Sequence, residues 1–566
     1  MITLNPVIEF FRSYPQVAIF LALALGYSMG KLKFRGFALG STTSVLLVAI
    51  IMGQMDIEVP GLVKTISFGL FTFGIGYKVG PQFFGALRKG GLNYLWMALI
   101  VAAGGLTTAI VLSKILGFDP GTAAGILSGA MTTSACLGTS EGAISHLALP
   151  EAQKAVYSSH VAIAYAITYI FGTGGTILFL KLYPRLVGLN VKSEAKKLEQ
   201  QLAGGSGGDE EGPGFFNWAK QISLRAYLVQ NEGACGRKVR ELEALFPPMM
   251  AVEKIRNGND IIAPAPDTVV EKGNLIAVAG TPPEFVKLSG IIGPEVFDGK
   301  MMEIEGEVME VCVLNRDVAG KTLGEVGTLK EAHGVFLKKI TRQGHRLPIA
   351  PGTEVQKCDI LELAGKKEDV ERAAGFLGYP ERPAAATDLI MVGLGCALGT
   401  LIGLLSIKLG GIAITLGIGG GVLVAGLICG WLRSLHPTFG QIPAGGLWLM
   451  TDLGLNLFIA CTGLSAGSSA FEALKSTGLS VFLAGAAVSI LPAFAALLFG
   501  QFVLKMNPVL LLGSCCGARD ITAALLSIQD DAESSTPALG FAAPYAFANV
   551  FITVCGSLII NIMARL

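Results

Sequence analysis

Long runs without charge alternate along this chain with short loops that carry it, and the runs fall into two groups around a charged middle. A helix needs roughly 20 mostly apolar residues to cross about 30 Å of hydrocarbon. Windows of that kind lie at residues 13–30, 36–55, 61–77, 92–113 and 155–180, and again at 389–407, 409–432, 453–471, 476–504 and 534–564. Only the third holds a charge, Lys64, close enough to its end to snorkel. The pattern predicts five spans on each side of a water-soluble module, since one soluble core cannot absorb ten such windows.

The halves also resemble each other. Residues 36–49 match 411–425 in character, 68–73 parallel 453–458, 85–92 parallel 472–479, and 164–171 parallel 544–551. An odd number of spans per copy makes the second copy enter from the other face, the inverted-repeat layout of many secondary transporters. Between the fourth and fifth spans each half holds a stretch that is neither a good span nor a good loop, at 125–141 and 512–525. Both are small, hydroxyl-rich and interrupted by glycine. Irregular backbone at membrane depth survives only where protein buries it or water fills a cavity. The two stretches therefore read as re-entrant hairpins meeting near the midplane, against the plainer reading of small-residue helix packing. Their free N–H groups and helix N-termini suit a carboxylate.

The candidate site follows from this. Thr132, Thr133 and Ser134 of the first hairpin and Arg519, Asp520 and Thr522 of the second are the expected substrate contacts. An ionisable residue inside a membrane segment is usually functional or paired. Arg519 offers a planar donor fork to a carboxylate; Asp520 answers an amino group or neutralises Arg519. Lys78, Tyr165 and Tyr545 are possible path residues, with interface snorkelling or plain packing as their alternatives, and packing is also the ordinary reading of His160.

Charge then sets orientation and organisation. Only 15% of the residues are charged, against about 25% in soluble domains, and they crowd between 181 and 382. Lys31, Lys33, Arg35, Arg88 and Lys89 follow odd-numbered spans, as do Arg433, His436 and Lys505 in the second half, with Lys408 and Lys475 against the trend. The N-terminus is expected outside and the module in the cytoplasm. The expected division is 1–184, first repeat; 185–216, linker, Gly-rich at 202–214; 217–296 and 297–380, two copies of a small α/β unit; and 385–566, second repeat. No cleavable signal peptide is expected. The ten scattered cysteines include no Cys-x-x-Cys pair, so neither a metal site nor a disulfide framework is expected. No Gly-x-Gly-x-x-Gly opens a strand–helix unit, no cofactor is expected, and no Ser/His/Asp constellation suggests an enzyme. A net charge of +1 points to no nucleic-acid partner.

Within 226–377, each copy runs strand, strand and turn, a Pro-led strand ending in Gly, then a short helix. This order resembles a tandem pair of the C-terminal subdomains of regulator-of-potassium-conductance (RCK) proteins, which implies small-ligand sensing or dimerisation. Two transport halves flanking such a pair resemble the aspartate–alanine exchanger family. The second half carries Gly517-Ala-Arg-Asp-Ile-Thr-Ala-Ala-Leu-Leu-Ser-Ile-Gln-Asp, then Glu533-Ser-Ser-Thr-Pro-Ala-Leu-Gly-Phe. The first carries Gly76-Tyr-Lys-Val-Gly-Pro-Gln-Phe-Phe, and together these are similar to the aspartate:alanine antiporters. The resemblance implies a multi-pass protein of the bacterial inner membrane, a homodimer in lipid. It implies electrogenic exchange of L-aspartate for L-alanine by alternating access, alongside a cytoplasmic aspartate decarboxylase. A carrier for succinate-type dicarboxylates is the alternative, with a ligand-gated channel behind it.

Overall fold

The computed structural model describes residues 5–202 and 223–565, apart from breaks of one to six residues, chiefly at 247–249, 281–284, 302–306, 381–386 and 436–439. The Gly-rich stretch from 203 onward, and Arg35, Lys89 and His436 of the charge pattern, lie outside the described residues. Helices dominate both ends of the chain. Among the described residues six are long and apolar enough to cross a membrane: Leu92–Leu116, Glu151–Leu186, Gly417–Leu435, Ala444–Gly467, Gly478–Val503 and Ala538–Met563. A seventh is the pair Pro6–Ser13 and Pro15–Gly30, bent by 98°, where Pro15 denies the helix a donor. The helix Gly61–Arg88 has 28 residues but carries Lys64 and Lys78.

Three expected spans are shorter than their windows. Residues 36–55 give only the 13-residue helix Ser41–Gly53, preceded by the strands Lys33–Phe34 and Phe37–Ala38. Residues 389–407 and 409–432 give Leu389–Leu404 and Gly417–Leu435, joined by antiparallel strands Ser406–Leu409 and Ile412–Thr415. In the second half Ile407, Ile412 and Ile414 explain this: β-branched residues fit a pleated strand better than a helix, and hydropathy does not distinguish the two. Conversely, 453–471 and 476–498 lie in one helical run, Ala444–Leu498, and a π-helical turn, Phe499–Val503, follows it. The run's 55 residues would extend about 80 Å at 1.5 Å each if straight, more than twice the hydrocarbon thickness.

The two interrupted stretches form helical hairpins of one design. Pro120–Ala130 is followed by Ser134–Ser145, and Pro508–Ala518 by Thr522–Ala532. Each limb has 11 or 12 residues, about 17 Å, half the hydrocarbon thickness. Each first limb begins with a side-chain cap before proline, where the missing N–H costs nothing. Asp119 accepts from Gly121 N at 2.8 Å, and Asn507 from Val509 N at 2.9 Å. Each turn holds a non-glycine residue in the left-handed region, Thr132 at φ 56° and Asp520 at φ 57°. The bonds also correspond: Thr132 N donates to Gly129 O and Thr133 N to Ser128 O, as Asp520 N does to Gly517 O and Ile521 N to Cys516 O.

The middle holds two five-stranded antiparallel sheets. One uses Ser223–Leu228, Ala251–Asn257, Asp260–Ile262, Leu275–Gly280 and Glu295–Val296; the other uses Glu307–Val313, Val335–Arg342, His345–Arg346, Ile360–Gly365 and Gly378–Pro380. Both have the spatial order third–second–fourth–first–fifth. Both shift register between second and fourth strands at the same place, past Glu253 and past Lys338, a one-residue bulge that increases local twist. In the second unit a buried bidentate pair, Arg342 Nε and Nη2 to Asp359 at 2.7 Å each, ties two strands together.

The helix Val191–Leu202 joins the second unit to the membrane part. Gly352 N donates to Leu202 O, Lys192 pairs with Glu533 at 2.7 Å, and Ser534 donates to Glu199. The mouth of the second hairpin thus lies on the face that carries the α/β units, called the module face below.

Candidate functional site

Glycine lets each hairpin approach a neighbouring long helix closely. A Cβ on Gly129 would sit 2.5 Å from Tyr165 O, and one on Gly517 would sit 2.3 Å from Phe541 O, so neither position tolerates a side chain without movement. The two turns then touch. Thr132 Oγ1 lies 3.3 Å from Arg519 O, and Thr133 Oγ1 donates to Asp520 Oδ2 at 3.4 Å.

Around that junction the structure gathers one carboxylate, one ammonium and a set of hydroxyls and amides. Asp520 is half-buried; besides Thr133 it accepts from Asn549 Nδ2 at 3.3 Å. Lys78 is exposed, and its charge faces that of Asp520 without a direct ion pair between the two. The charge of Asp520 is felt by Tyr165, Tyr169 and Tyr545. Tyr165 and Tyr169 lie with ring centroids 5.3 Å apart, and the hydroxyl of Tyr165 meets Ser134 Oγ at 2.7 Å. A half-buried carboxylate that accepts only two long bonds has room for a further donor, and a cationic group of a ligand would complete it.

Arg519 faces elsewhere. Its fully buried guanidinium donates through Nη2 to Ala130 O at 2.7 Å and Thr176 Oγ1 at 3.1 Å, and Nη1 contacts Met131 Sδ. It thereby caps the carbonyl end of the first hairpin's inner limb, where a cation is favoured by the helix dipole. Its Nε has no hydrogen-bond partner. Thr522, also expected in the site, is exposed at the start of the second hairpin's return limb.

Tyr169 and Asn549 were not among the expected residues, yet the sequence holds a signal for both. The alignment that pairs Tyr165 with Tyr545 also pairs Tyr169 with Asn549, and residues four apart share a helix face. His160, read as packing, instead fixes the first hairpin's cap through Nδ1 to Asp119 Oδ2 at 2.9 Å. On the return limb Glu141 pairs with Lys64, whose ammonium lies 5.9 Å from the Phe458 ring centroid.

Residues 18–185 and 391–561 match the model of a family described as the predicted permease membrane region, that of the aspartate–alanine exchangers. The chain belongs to this family. An uncharacterized transporter of Bradyrhizobium diazoefficiens is 40% identical over 96% of this chain and 97% of its own. Another from Shewanella oneidensis is 38% identical, covering 97% and 98%. One from Bordetella parapertussis is 36% identical, covering 99% and 98%. No solved structure matches the chain. The family match spans both helical halves, including both hairpins, so this is a multi-pass transporter of the exchanger family.

Proposed function

We propose that the chain is a secondary exchanger of L-aspartate for L-alanine, working by alternating access between two inverted repeats. The observation that carries this reading is the meeting of two hairpin turns of one backbone geometry around Asp520, with Lys78 opposite it. An amino acid offers an ammonium to Asp520 and a carboxylate to Lys78. Thr133, Asn549 and the tyrosines supply the remaining hydrogen bonds. Aspartate brings a second carboxylate, for which the unpartnered Arg519 Nε is a donor. Occupation satisfies groups that are costly to leave unpaired in a dry site, and this differential stabilisation is what can drive the hairpins between states. Exchange of aspartate for the zwitterion alanine moves one negative charge, so it is electrogenic. The reading takes the α/β units as RCK C-terminal-like subdomains and the protein as a homodimer of the bacterial inner membrane, with the module face cytoplasmic and the N-terminus outside.

The test is uptake of labelled L-aspartate into proteoliposomes preloaded with L-alanine, L-aspartate, succinate or nothing. Uptake that requires an internal amino acid supports the reading. Equal uptake against succinate makes the protein a dicarboxylate carrier, and uptake into unloaded vesicles makes it a channel. Asp520→Asn keeps the shape and removes the charge. It is expected to lower amino-acid exchange by about tenfold or more, and unchanged exchange would remove Asp520 from the site.

A further inference from the structure

The second α/β unit reaches the membrane part on the module-face approach to Asp520. Its strand Val335–Arg342 pairs with His345–Arg346, with His345 opposite Arg342. The His345 ring meets Phe541 with centroids 4.7 Å apart and planes at 68°. Phe541 stacks on Tyr545 at 5.1 Å, and Tyr545 lies within the field of Asp520. Burial first, then the positive charge of Lys78, holds the His345 imidazole below its usual value. The charge of Lys78 acts on both His345 and Asp520, and the ring contacts through Phe541 and Tyr545 lead from this strand pair towards the site. Arg346 lines a crevice with Gln529, Asp530, Glu533, Ser534 and Ser535 at the mouth of the second hairpin.

We propose that this strand pair is a lid on the transport path: with His345 seated on Phe541 the site is closed toward the module face, and solute crosses that face only when the pair withdraws. The lid is stiff. Arg342, the register partner of His345, is held by Asp359 and by Glu354 O at 2.9 Å, so the pair moves with the second unit. Lid motion is then motion of the unit, and anything that shifts the unit gates transport. The inference takes its solute from the function proposed above; the position of the lid does not depend on it.

The test places cysteines at His345→Cys and Phe541→Cys in the full chain and joins them with a short, reducible bis-thiosulfonate. Each single variant with the same reagent controls for the native cysteines. Two readouts follow: aspartate–alanine exchange, and the rate at which an impermeant maleimide added on the module face modifies Tyr545→Cys, read by mass spectrometry of that peptide. Bridging is expected to cut both by about tenfold, with recovery on reduction, and His345→Gly is expected to raise the labelling rate severalfold. Unchanged labelling in the bridged chain, or failure of the bridge to form, overturns the lid. If no version exchanges aspartate, the amino-acid reading fails while the labelling rate still decides the lid.

Discussion

Arg519 and Asp520 are adjacent in sequence and do different work, because the backbone reverses between them. Arg519 closes its helix at φ −95° and its side chain runs to the first hairpin, whereas Asp520, at φ 57°, faces Lys78 and Asn549. Arg519→Ala separates two roles. If the guanidinium only braces the hairpins, Tm falls and the KM for aspartate stays within about twofold. If Nε also meets the substrate, KM rises by about tenfold, since a lost charged hydrogen bond costs about 1.5–3 kcal/mol. Thr132 is the more strained partner, because a β-branched residue in the left-handed region costs about 1–3 kcal/mol. Strain kept at a turn that touches the other half points to function. Thr132→Gly is expected to hold or raise Tm while lowering exchange severalfold; a fall in Tm with normal exchange would make the threonine structural.

At the scale of the element, the hairpins were legible because several signals coincided: small residues along the limbs, glycine interruptions, and a hydroxyl or charge at the break; their starts at Asp119-Pro120 and Asn507-Pro508 came from the structure. Their packing depends on Gly129 and Gly517 at matching positions. Gly129→Ala and Gly517→Ala each force a Cβ against a backbone oxygen. Each is expected to destabilise by about 1–3 kcal/mol, read as a lowered Tm, and to slow exchange. A variant with unchanged Tm would show that the hairpin can stand farther from its neighbour. The short strand pairs that shorten three expected spans were hidden, because glycine and isoleucine serve a membrane helix and a strand equally well in a hydropathy sum.

For the whole molecule, the membrane character and the two-fold internal likeness could be read from residue patterns, and the family match agrees with the transporter reading. The site was only half readable. Sequence pointed to the charges and hydroxyls at the turns, but the direction of Arg519 and the arrival of Tyr169, Asn549 and His345 depend on how distant helices and sheets meet. The inverted layout proposed above makes a direct prediction. Cysteines at Ser145 and Ser535, near the mouths of the first and second hairpins, are expected to react with an impermeant maleimide from opposite sides of sealed vesicles. Reaction of both from one side would overturn the layout. The second α/β unit, in contrast, meets the mouth of the second hairpin, where Arg346 lines a crevice with Gln529, Asp530 and Glu533. A carrier built from two equivalent halves has no inherent preference between forward and reverse turnover. One that wears its lid on a single face acquires such a preference in its rates, so the lid proposed above would make the module a rectifier: it would alter how fast exchange runs each way, while the equilibrium stays with the solute gradients.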